Sequence, residues 1–198
     1  MARGASDSAW TAAEAVTITT YWSGETAPEG RHFTARLLWS ESAFHVLFEA
    51  DQNEPLVIAD EPEISRKTIG LWERDVCEIF VAPDRDEPQR YFEFEAAPTG
   101  EWLDLKIDLT SGERVTDREY TSGMEVSARV EAGRVLIAMR IPWEAFGSRP
   151  QPDDVWLGNI FRCVGTGPDR GYLAWRPTMT DEPQFHVPEA FGEFRFLR

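Results

Sequence analysis

Short runs of alternating apolar and polar residues dominate this chain, and turn-forming residues separate them. Successive side chains of a β-strand point to opposite faces, so a period of two predicts strands rather than helices. Gly, Pro, Asp and Asn fill the segments between the runs, as is typical of turns. The pattern predicts about ten short strands, at residues 16–22, 33–39, 44–50, 76–81, 91–96, 102–107, 124–130, 135–141, 155–164 and 191–197.

Residues 40–42 and 131–133 are short turn-forming links between consecutive predicted strands, so each predicts a β-hairpin. Residues 143–147 predict one helical turn, and we expect 165–190 to be mostly irregular. Many short strands joined by turns are typical of two sheets packed face to face. We therefore predict an all-β fold, a two-sheet antiparallel β-sandwich of the jelly-roll type, in which residues 1–198 form a single domain.

Three consecutive predicted strands carry aromatic and charged residues on one face. The alternation assigns to the core Cys77, Ile79, Val81, Phe92, Phe94, Leu103, Leu105 and Ile107. It assigns to an outer, solvated face Val76, Glu78, Phe80, Tyr91, Glu93, Glu95, Trp102, Asp104 and Lys106. Aromatic rings can cover the apolar C–H side of a pyranose, while charged groups bind its hydroxyls. The outer face therefore suits a sugar-binding site.

Composition and charge limit the partners of such a domain. Of the 198 residues, 42% are hydrophobic and 28% are charged, which is ordinary for a globular protein. Thirty-five acidic and 20 basic residues give a formal net charge of −15, and the basic residues are scattered singly. Because this charge repels phosphate backbones and anionic lipids, we expect neither nucleic acid nor membrane as a partner. The chain lacks the apolar runs of a signal peptide or a membrane span, so we expect a soluble protein.

Cys77 and Cys163 are the two cysteines, and each lies within an apolar run. Small buried thiols are the expected state of such residues. The sequence favours free thiols over a disulfide but leaves the pairing open. The two positions do not have the close spacing of a zinc site.

Seven segments in order resemble the family 9 carbohydrate-binding modules and the wider DOMON-like group of sandwich domains. These segments are ARLLWSESAFHVLFEADQNEP, WERDVCEIFVAP, YFEFEAAPTGEWLD, RIPWEAFG, WLGNIFR, LAWRPT and FHVPEAFGEFRF. The resemblance covers most of the chain and implies the same β-sandwich. It also implies non-catalytic binding of a mono- or oligosaccharide, with no cofactor required.

Binding members of this family clamp the terminal sugar of a chain between two tryptophans. By position, Trp72 is similar to the first tryptophan and Glu78 to its partner acid. Trp175 is similar to the second tryptophan. The resemblance therefore implies a clamp formed by Trp72 and Trp175.

Further polar contacts are implied on neighbouring strands. Glu93 and Glu95 occupy a strand where the family can place polar ligand contacts, although a glutamate stands near where an arginine is expected. Asn159 and Arg162 match a recurrent string of the family, GNIFR, and their role can be structural. Arg162 is also a candidate for an ion pair with Glu78 across the sheet.

Catalysis is the first alternative function, because Glu93, Glu95 and Asp104 are carboxylates that could act as general acid and base in glycoside hydrolysis. Against this interpretation, the alternation places all three on a solvated face. The chain also lacks a nucleophile elbow, a paired-histidine metal motif and a phosphate-binding glycine loop. We therefore expect no enzymatic activity.

Haem-dependent electron transfer is the second alternative, because some DOMON-like domains hold haem between methionine and histidine. The available ligands are His45, His186, Met124, Met139 and Met179. Met139 has the parity of a core residue, and we expect His186 to be a hydrogen-bonded structural histidine. A third alternative is a structural or sensory sandwich that no longer binds sugar.

A structural calcium ion is a further expectation, because members of the resembled family can carry one. The acidic loops at residues 51–54 and 84–87 offer the carboxylate oxygens that calcium requires. The sequence does not assign the ligands of this ion.

Overall fold

The structure is a computed structural model of the chain and describes residues 7–197. It contains one short α-helix, α1 (Asp7–Ala12), and five 3-10 helices at Glu29–Arg31, Leu71–Glu73, Trp143–Phe146, Gly167–Asp169 and Pro188–Ala190. The strands are β1 (Ala15–Ile18), β2 (Phe33–Trp39), β3 (Ala43–Asp51), β4 (Val76–Ala82), β5 (Arg90–Ala96), β6 (Trp102–Asp108), β7 (Val115–Asp117), β8 (Glu125–Glu131), β9 (Arg134–Pro142), β10 (Val155–Val164), β11 (Gly171–Ala174) and β12 (Gly192–Arg195). Within the described residues, no helix has the length and apolar character needed to cross a membrane.

The strands form two antiparallel sheets. The first sheet has the order β1-β2-β3-β9-β8, and the second has the order β11-β10-β4-β5-β6-β7. The twelfth strand, β12, pairs with the first half of β10, on the same edge where β11 pairs with its second half. The predicted two-sheet antiparallel sandwich is therefore confirmed.

The main core lies between the two sheets. Phe44, Val46 and Phe48 of β3 point inward from the first sheet, and Ile79 and Val81 of β4 point inward from the second. The alternation of β3 leaves its other side chains on the far face of the first sheet. At one end, a group of aromatic rings closes the core, and several of them meet edge to face. This aromatic group comprises Trp143, Phe146, Trp156, Phe194 and Phe196.

The outer face of the second sheet carries its own apolar layer, so the prediction that this face is solvated was wrong. Phe80, Tyr91 and Phe161 are fully buried there, and Phe185 and Phe191 pack over them from outside the sheet. As a result, every residue of β4 is buried. A strand covered on both faces has a nearly continuous apolar sequence rather than a clean alternation.

The facing predicted for β6 was also wrong. Leu105 lies opposite Glu93 and Leu103 opposite Glu95, and residues directly opposite in an antiparallel pair share a face. Leu103, Leu105 and Ile107 therefore belong to the outer layer, while Trp102, Asp104 and Lys106 lie on the face toward the first sheet. Because both faces are covered, an apolar side chain did not by itself identify the inner one.

Most predicted strands agree with the structure to within one or two residues, but short elements were missed. The strand β11 lies inside the segment expected to be irregular, and β7 was not predicted. The first strand was predicted at residues 16–22, but in the structure it ends at Ile18. The helical turn predicted at 143–147 is present as the 3-10 helix Trp143–Phe146.

Cys77 and Cys163 are both free, buried thiols, as favoured by the sequence. Cys77 lies opposite Arg162, and Cys163 lies opposite Val76. The two sulfur atoms therefore belong to opposite faces of the second sheet, which prevents their pairing without rearrangement of the backbone.

Because both sheets share one core, we expect a single cooperative unfolding transition. Ile79→Ala removes a fully buried side chain between the sheets and should lower the free energy of unfolding by about 2 to 5 kcal/mol. Urea unfolding followed by both tryptophan fluorescence and far-ultraviolet circular dichroism measures this change. The matched control is Ile64→Ala, because the Ile64 side chain is 63% exposed. Two separate transitions in the parent protein would contradict a single domain.

Candidate functional site

A cleft of about 410 Å³ opens on the outer face of the second sheet. Strands β4, β5 and β6 contribute to its lining, together with the loop before β4, residues around β7 and the segment before the 3-10 helix Pro188–Ala190. Its lining combines aromatic and charged side chains: Trp72, Glu78, Phe80, Glu93, Arg114, Arg118, Arg170, Tyr172, Phe185 and His186. Such a mixture of flat rings and polar groups is typical of small-molecule sites.

Trp72 reaches this cleft because its local backbone is held in place. Gly70 adopts a left-handed conformation (φ 84°) before the 3-10 helix Leu71–Glu73, a conformation that glycine adopts without steric cost. Leu71 is fully buried in the outer layer, and the next residue, Trp72, remains 38% exposed. The Arg170 guanidinium donates hydrogen bonds of 2.6 and 2.7 Å to the carbonyl oxygens of Trp72 and Arg74. The exposed indole is therefore presented by a fixed turn.

Stacked rings fix another part of the cleft lining. The rings of Phe185 and Phe161 are nearly parallel, with centroids 4.0 Å apart. The imidazole of His186 lies 5.2 Å from the Phe80 ring. Tyr172 meets Phe185 edge to face, at a centroid distance of 6.1 Å. These contacts order a segment that otherwise has no strand or helix.

Three carboxylates lie within the apolar outer layer next to the cleft. Glu78 and Glu95 are direct cross-strand partners, and Glu93 is two residues before Glu95 on the same face of β5. Their exposed fractions are 2% for Glu78, 3% for Glu93 and 0% for Glu95. The alternation correctly placed them together on one face, but that face is not solvated.

Few polar partners compensate this burial. The Cys163 thiol donates a hydrogen bond of 3.4 Å to Glu78 Oε1. Outside the cluster, neither oxygen of Glu95, nor Oε2 of Glu93, has a hydrogen-bond partner within residues 7–197, and the carboxyl groups of Glu93 and Glu95 hydrogen-bond to each other. Burial raises the pKa of all three carboxyl groups, and the charge of Glu93 adds to this for Glu78.

His186 makes the hydrogen bond that the sequence analysis expected of it. Its Nδ1 atom lies 2.6 Å from the Tyr91 hydroxyl. Burial lowers the pKa of His186 to about 3, so the ring is neutral near pH 7. Its Nε2 atom lies 3.9 Å from Glu93 Oε2, which brings the imidazole to the edge of the carboxylate cluster.

Trp175 does not share the cleft with Trp72. Its backbone N–H donates to the Ile160 carbonyl, and its ring packs against the core between the sheets. The ring stacks on Phe194 at a centroid distance of 5.6 Å, and the Arg176 guanidinium covers it at 4.6 Å. The structure therefore does not bring the two tryptophans of the expected clamp together.

Asn159 and Arg162 are fully occupied within the fold. The Asn159 side chain bonds the backbone of Arg176 in both directions, accepting at 3.0 Å and donating at 2.8 Å. Arg162 donates to the Arg31 carbonyl at 2.7 Å and to Gln52 Oε1 at 2.6 Å. Arg162 is thus a buried bridge between the sheets.

An ion pair between Arg162 and Glu78 is ruled out by the register of the second sheet. Arg162 lies opposite Cys77, on the inner face, whereas Glu78 lies on the outer face. That expectation was therefore wrong.

Sequence reasoning missed several lining residues. Phe185 and Tyr172 both lie in the segment 165–190 that was predicted to be irregular, where no periodicity identifies a facing. Arg114 and Arg118 flank β7 and are exposed at the cleft. They share the parity of Thr116, which lies opposite Ile107 on the outer face. If β7 had been predicted as a strand, its alternation would have placed Arg114 and Arg118 on this face.

The alternative functions gain no support from this geometry. Asp104 lies on the opposite face of β6 from Leu103 and Leu105, and pairs with Lys67 at 2.5 Å. It therefore does not join Glu93 and Glu95 in one catalytic site. Met139 is fully buried between the sheets, as its parity predicted.

The buried carboxylates generate a pH prediction. A carboxyl group whose pKa is raised by folding contributes stability below its unfolded pKa, near 4.5, and loses that contribution as pH rises through the folded value. Glu95→Gln keeps the shape but removes the ionisation. In buffers containing a chelator, we expect the free energy of unfolding of this variant, relative to the parent, to increase from pH 5 to pH 8.

Urea unfolding at pH 5, 6.5 and 8 measures this difference. His186 has the opposite dependence, since its lowered pKa removes stability as pH falls from about 6.5 toward 3. That contribution is present in both proteins and cancels to first order in the difference. A difference that is constant across the three pH values would show that Glu95 does not titrate as its burial requires.

Solved structures share this architecture. A protein of Bacteroides uniformis assigned as carbohydrate-binding superposes with a TM-score of 0.72 and 18% sequence identity, covering 92% of this chain and 86% of that one. A family 9 carbohydrate-binding module of Caldicellulosiruptor kristjanssonii in complex with cellotriose superposes with a TM-score of 0.68 and 14% sequence identity. The match covers 98% of this chain and 87% of that one. A family 9 module from the same organism in complex with glucose superposes with a TM-score of 0.63 and 16% sequence identity. The match covers 98% of this chain and 89% of that one.

No curated protein matches the sequence. The family model described as "Carbohydrate family 9 binding domain-like" matches residues 3–197, nearly the entire chain. This match agrees with the seven segments recognised in the sequence and with the two-sheet fold. The chain therefore belongs to the carbohydrate family 9 binding domain-like family.

Proposed function

We propose that this protein binds a mono- or oligosaccharide without converting it, and that the ligand occupies the outer-face cleft. The observation that carries the proposal is the exposed Trp72 indole beside Glu78 and Glu93 in one cleft, in a chain of this family. The solved modules of Caldicellulosiruptor kristjanssonii, one in complex with cellotriose and one with glucose, support the ligand class.

The chemistry of the cleft suits a sugar. A pyranose has an apolar face of C–H groups, which an aromatic ring covers, and a rim of hydroxyls, which carboxylates and guanidinium groups bind. Trp72 offers the ring, and Glu78 and Glu93 offer the carboxyl groups. Arg114 and Arg118 add donors at the exposed side. A cavity of about 410 Å³ has room for one or two sugar rings.

The residues proposed to contact the sugar directly are fewer than those implied by family resemblance. Trp72, Glu78 and Glu93 line the cleft and stay in the set. Glu95 lies behind them and contributes through its neighbours. Asn159, Arg162 and Trp175 are proposed to act indirectly, because their side chains are engaged in contacts that hold the sheets and the last strands together.

Trp72→Ala should weaken sugar binding with little change in stability, because the side chain is 38% exposed. The loss of a stacked ring is expected to cost about 1 to 3 kcal/mol, or about 5- to 150-fold in Kd. Calorimetric titration with glucose, cellobiose and cellotriose, extended to a wider panel of sugars, measures the effect. Trp72→Phe should give an intermediate affinity.

The matched control is Leu197→Ala, since Leu197 is 65% exposed and lies outside the cleft lining. If the folded parent protein binds no sugar across the panel, carbohydrate binding is wrong for this chain. A structural or sensory sandwich would then be the better interpretation.

Trp175→Ala should lower stability and leave sugar affinity largely unchanged, the reverse of the effect expected for Trp72→Ala. Loss of its packing against Phe194 and Arg176 should lower the free energy of unfolding by about 3 kcal/mol or more, as for a large core truncation. The folded fraction of the variant should retain most of the parent affinity. Affinity measured well below the melting temperature, with urea unfolding in parallel, separates the two effects. A stable variant without affinity would restore Trp175 as a direct ligand contact.

A further inference from the structure

The three carboxylates at the cleft form a cluster that sugar binding does not fully explain. One ligand oxygen each from Glu78, Glu93 and Glu95 lies within 4.8 Å of the others. Among the described residues, this is the one group of three or more His, Cys, Asp or Glu side chains close enough to share an ion. Strand register produces the arrangement, because Glu78 and Glu95 are opposite one another and Glu93 follows the same face.

No guanidinium or ammonium group of the described residues makes a salt bridge to this cluster, and the charges of Arg170 and Arg114 act on Glu78 and Glu93 only from a longer distance. The nearest basic group is His186, whose Nε2 atom lies 3.9 Å from Glu93 Oε2, beyond hydrogen-bond distance. Charges removed from water cost several kcal/mol each unless they are paired or bind a metal ion.

Within the cluster, Glu95 is a fully buried side chain that has no partner in residues 7–197 outside the three carboxyl groups. Its exposed fraction is 0%, and among the described residues its carboxyl group has only the Glu93 carboxyl group as a hydrogen-bond partner. Glu93 Oε2 is likewise buried and has no hydrogen-bond partner outside the cluster among the described residues. Buried polar atoms of this kind are rare in folded proteins, and a bound ion is one of the explanations for them. One oxygen of Glu95 and one of Glu93 belong to the group of three that lies within 4.8 Å.

We propose that Glu78, Glu93 and Glu95 bind one hard divalent cation, with calcium as the best candidate, at the base of the cleft. Two oxygens that each lie about 2.4 Å from a calcium ion can be at most about 4.8 Å apart, a limit that this cluster meets. Glu78 and Glu93 line the cleft, so the remaining coordination positions of the ion face it. Water or an oxygen-rich ligand can complete the sphere.

The donor set selects against softer metals. All three ligand groups are carboxylates, which suit calcium, magnesium and manganese rather than zinc or copper. The Cys163 sulfur is near Glu78, at 3.4 Å from Oε1. The Cys163 sulfur donates a hydrogen bond to this carboxylate oxygen, so the residue is a thiol and not the thiolate that soft metals prefer.

This site is distinct from the acidic loops at residues 51–54 and 84–87, where the sequence alone suggested calcium. Glu54 is engaged by Arg31, with bonds of 2.6 and 2.9 Å, and Glu87 by Arg90 at 2.6 Å. Neither loop contributes to the cluster of three carboxylates. The inference also does not rest on carbohydrate binding, because an ion can bind in the absence of sugar.

The test is calorimetric titration of the full chain, treated with a chelator and then desalted, with CaCl₂, MgCl₂ or MnCl₂ and no sugar present. We expect about one calcium ion per chain. At a free calcium concentration of about 100 times Kd, Tm should rise by about 5 to 10 °C. Glu95→Gln and Glu93→Gln should each weaken binding at least tenfold and abolish most of the rise in Tm.

Two controls separate this site from general attraction to an acidic surface. Glu41→Gln removes one exposed carboxylate from the turn between β2 and β3 and should bind calcium as the parent does. Circular dichroism without cation shows whether each variant is folded, and two variants are used so that a folding defect in one leaves the other informative. Absence of saturable binding for all three cations would overturn the proposal and leave protons as the neutralising species. Equal binding by the parent and both cluster variants would also overturn it, since the ion would then lie elsewhere.

Discussion

Burial of the second sheet on both faces is the constraint on which the rest of this structure depends. Its inner face packs against the first sheet, and its outer face carries a second apolar layer under Phe185 and Phe191. Strand β4 is buried along its whole length as a result. The outer cover is incomplete, and the remaining space is the cleft. The site is therefore a gap in a hydrophobic layer and not an exposed sheet surface.

This placement determines the electrostatics of the site. On a solvated face, carboxylates keep ordinary pKa values and favourable hydration, whereas in an apolar layer the ionised form is penalised. Glu78, Glu93 and Glu95 are in the second situation, and their pKa values are raised. Natural proteins tolerate such groups mainly where they bind a ligand, because the fold gains no stability from them. The carbohydrate and cation proposals both follow from this one feature.

The recurrent segments of the family divide into two roles. Trp72 and Glu78 come from the segment that ends in β4, and both line the cleft. Asn159 and Arg162, from the recurrent string in β10, hold backbone and side chains of other elements. Similarity of a string to a family thus predicted position in the fold better than a place in the lining of the cleft. Trp175 is the clearest example, because its ring is stacked on Phe194 away from the cleft.

Local pattern and family strings were sufficient for much of the fold. The bounds of β2 and β10 were predicted residue for residue, since each has a long run of strand-forming residues between turns. The short strands β7 and β11 were not, because their pairing with β6 and β10 defines them rather than their own composition. The facing of β6 was inverted, since two covered faces leave alternation without a polar side.

The sequence by itself determined the two-sheet class, the family and the grouping of Glu78, Glu93 and Glu95 on one face, because strand alternation and segment order are local properties. Only the tertiary structure decided that this face is buried, that Trp72 lines its cleft and that Trp175 and Arg162 do not. Those outcomes depend on the path of segments without periodic pattern, which packing between residues distant in sequence determines.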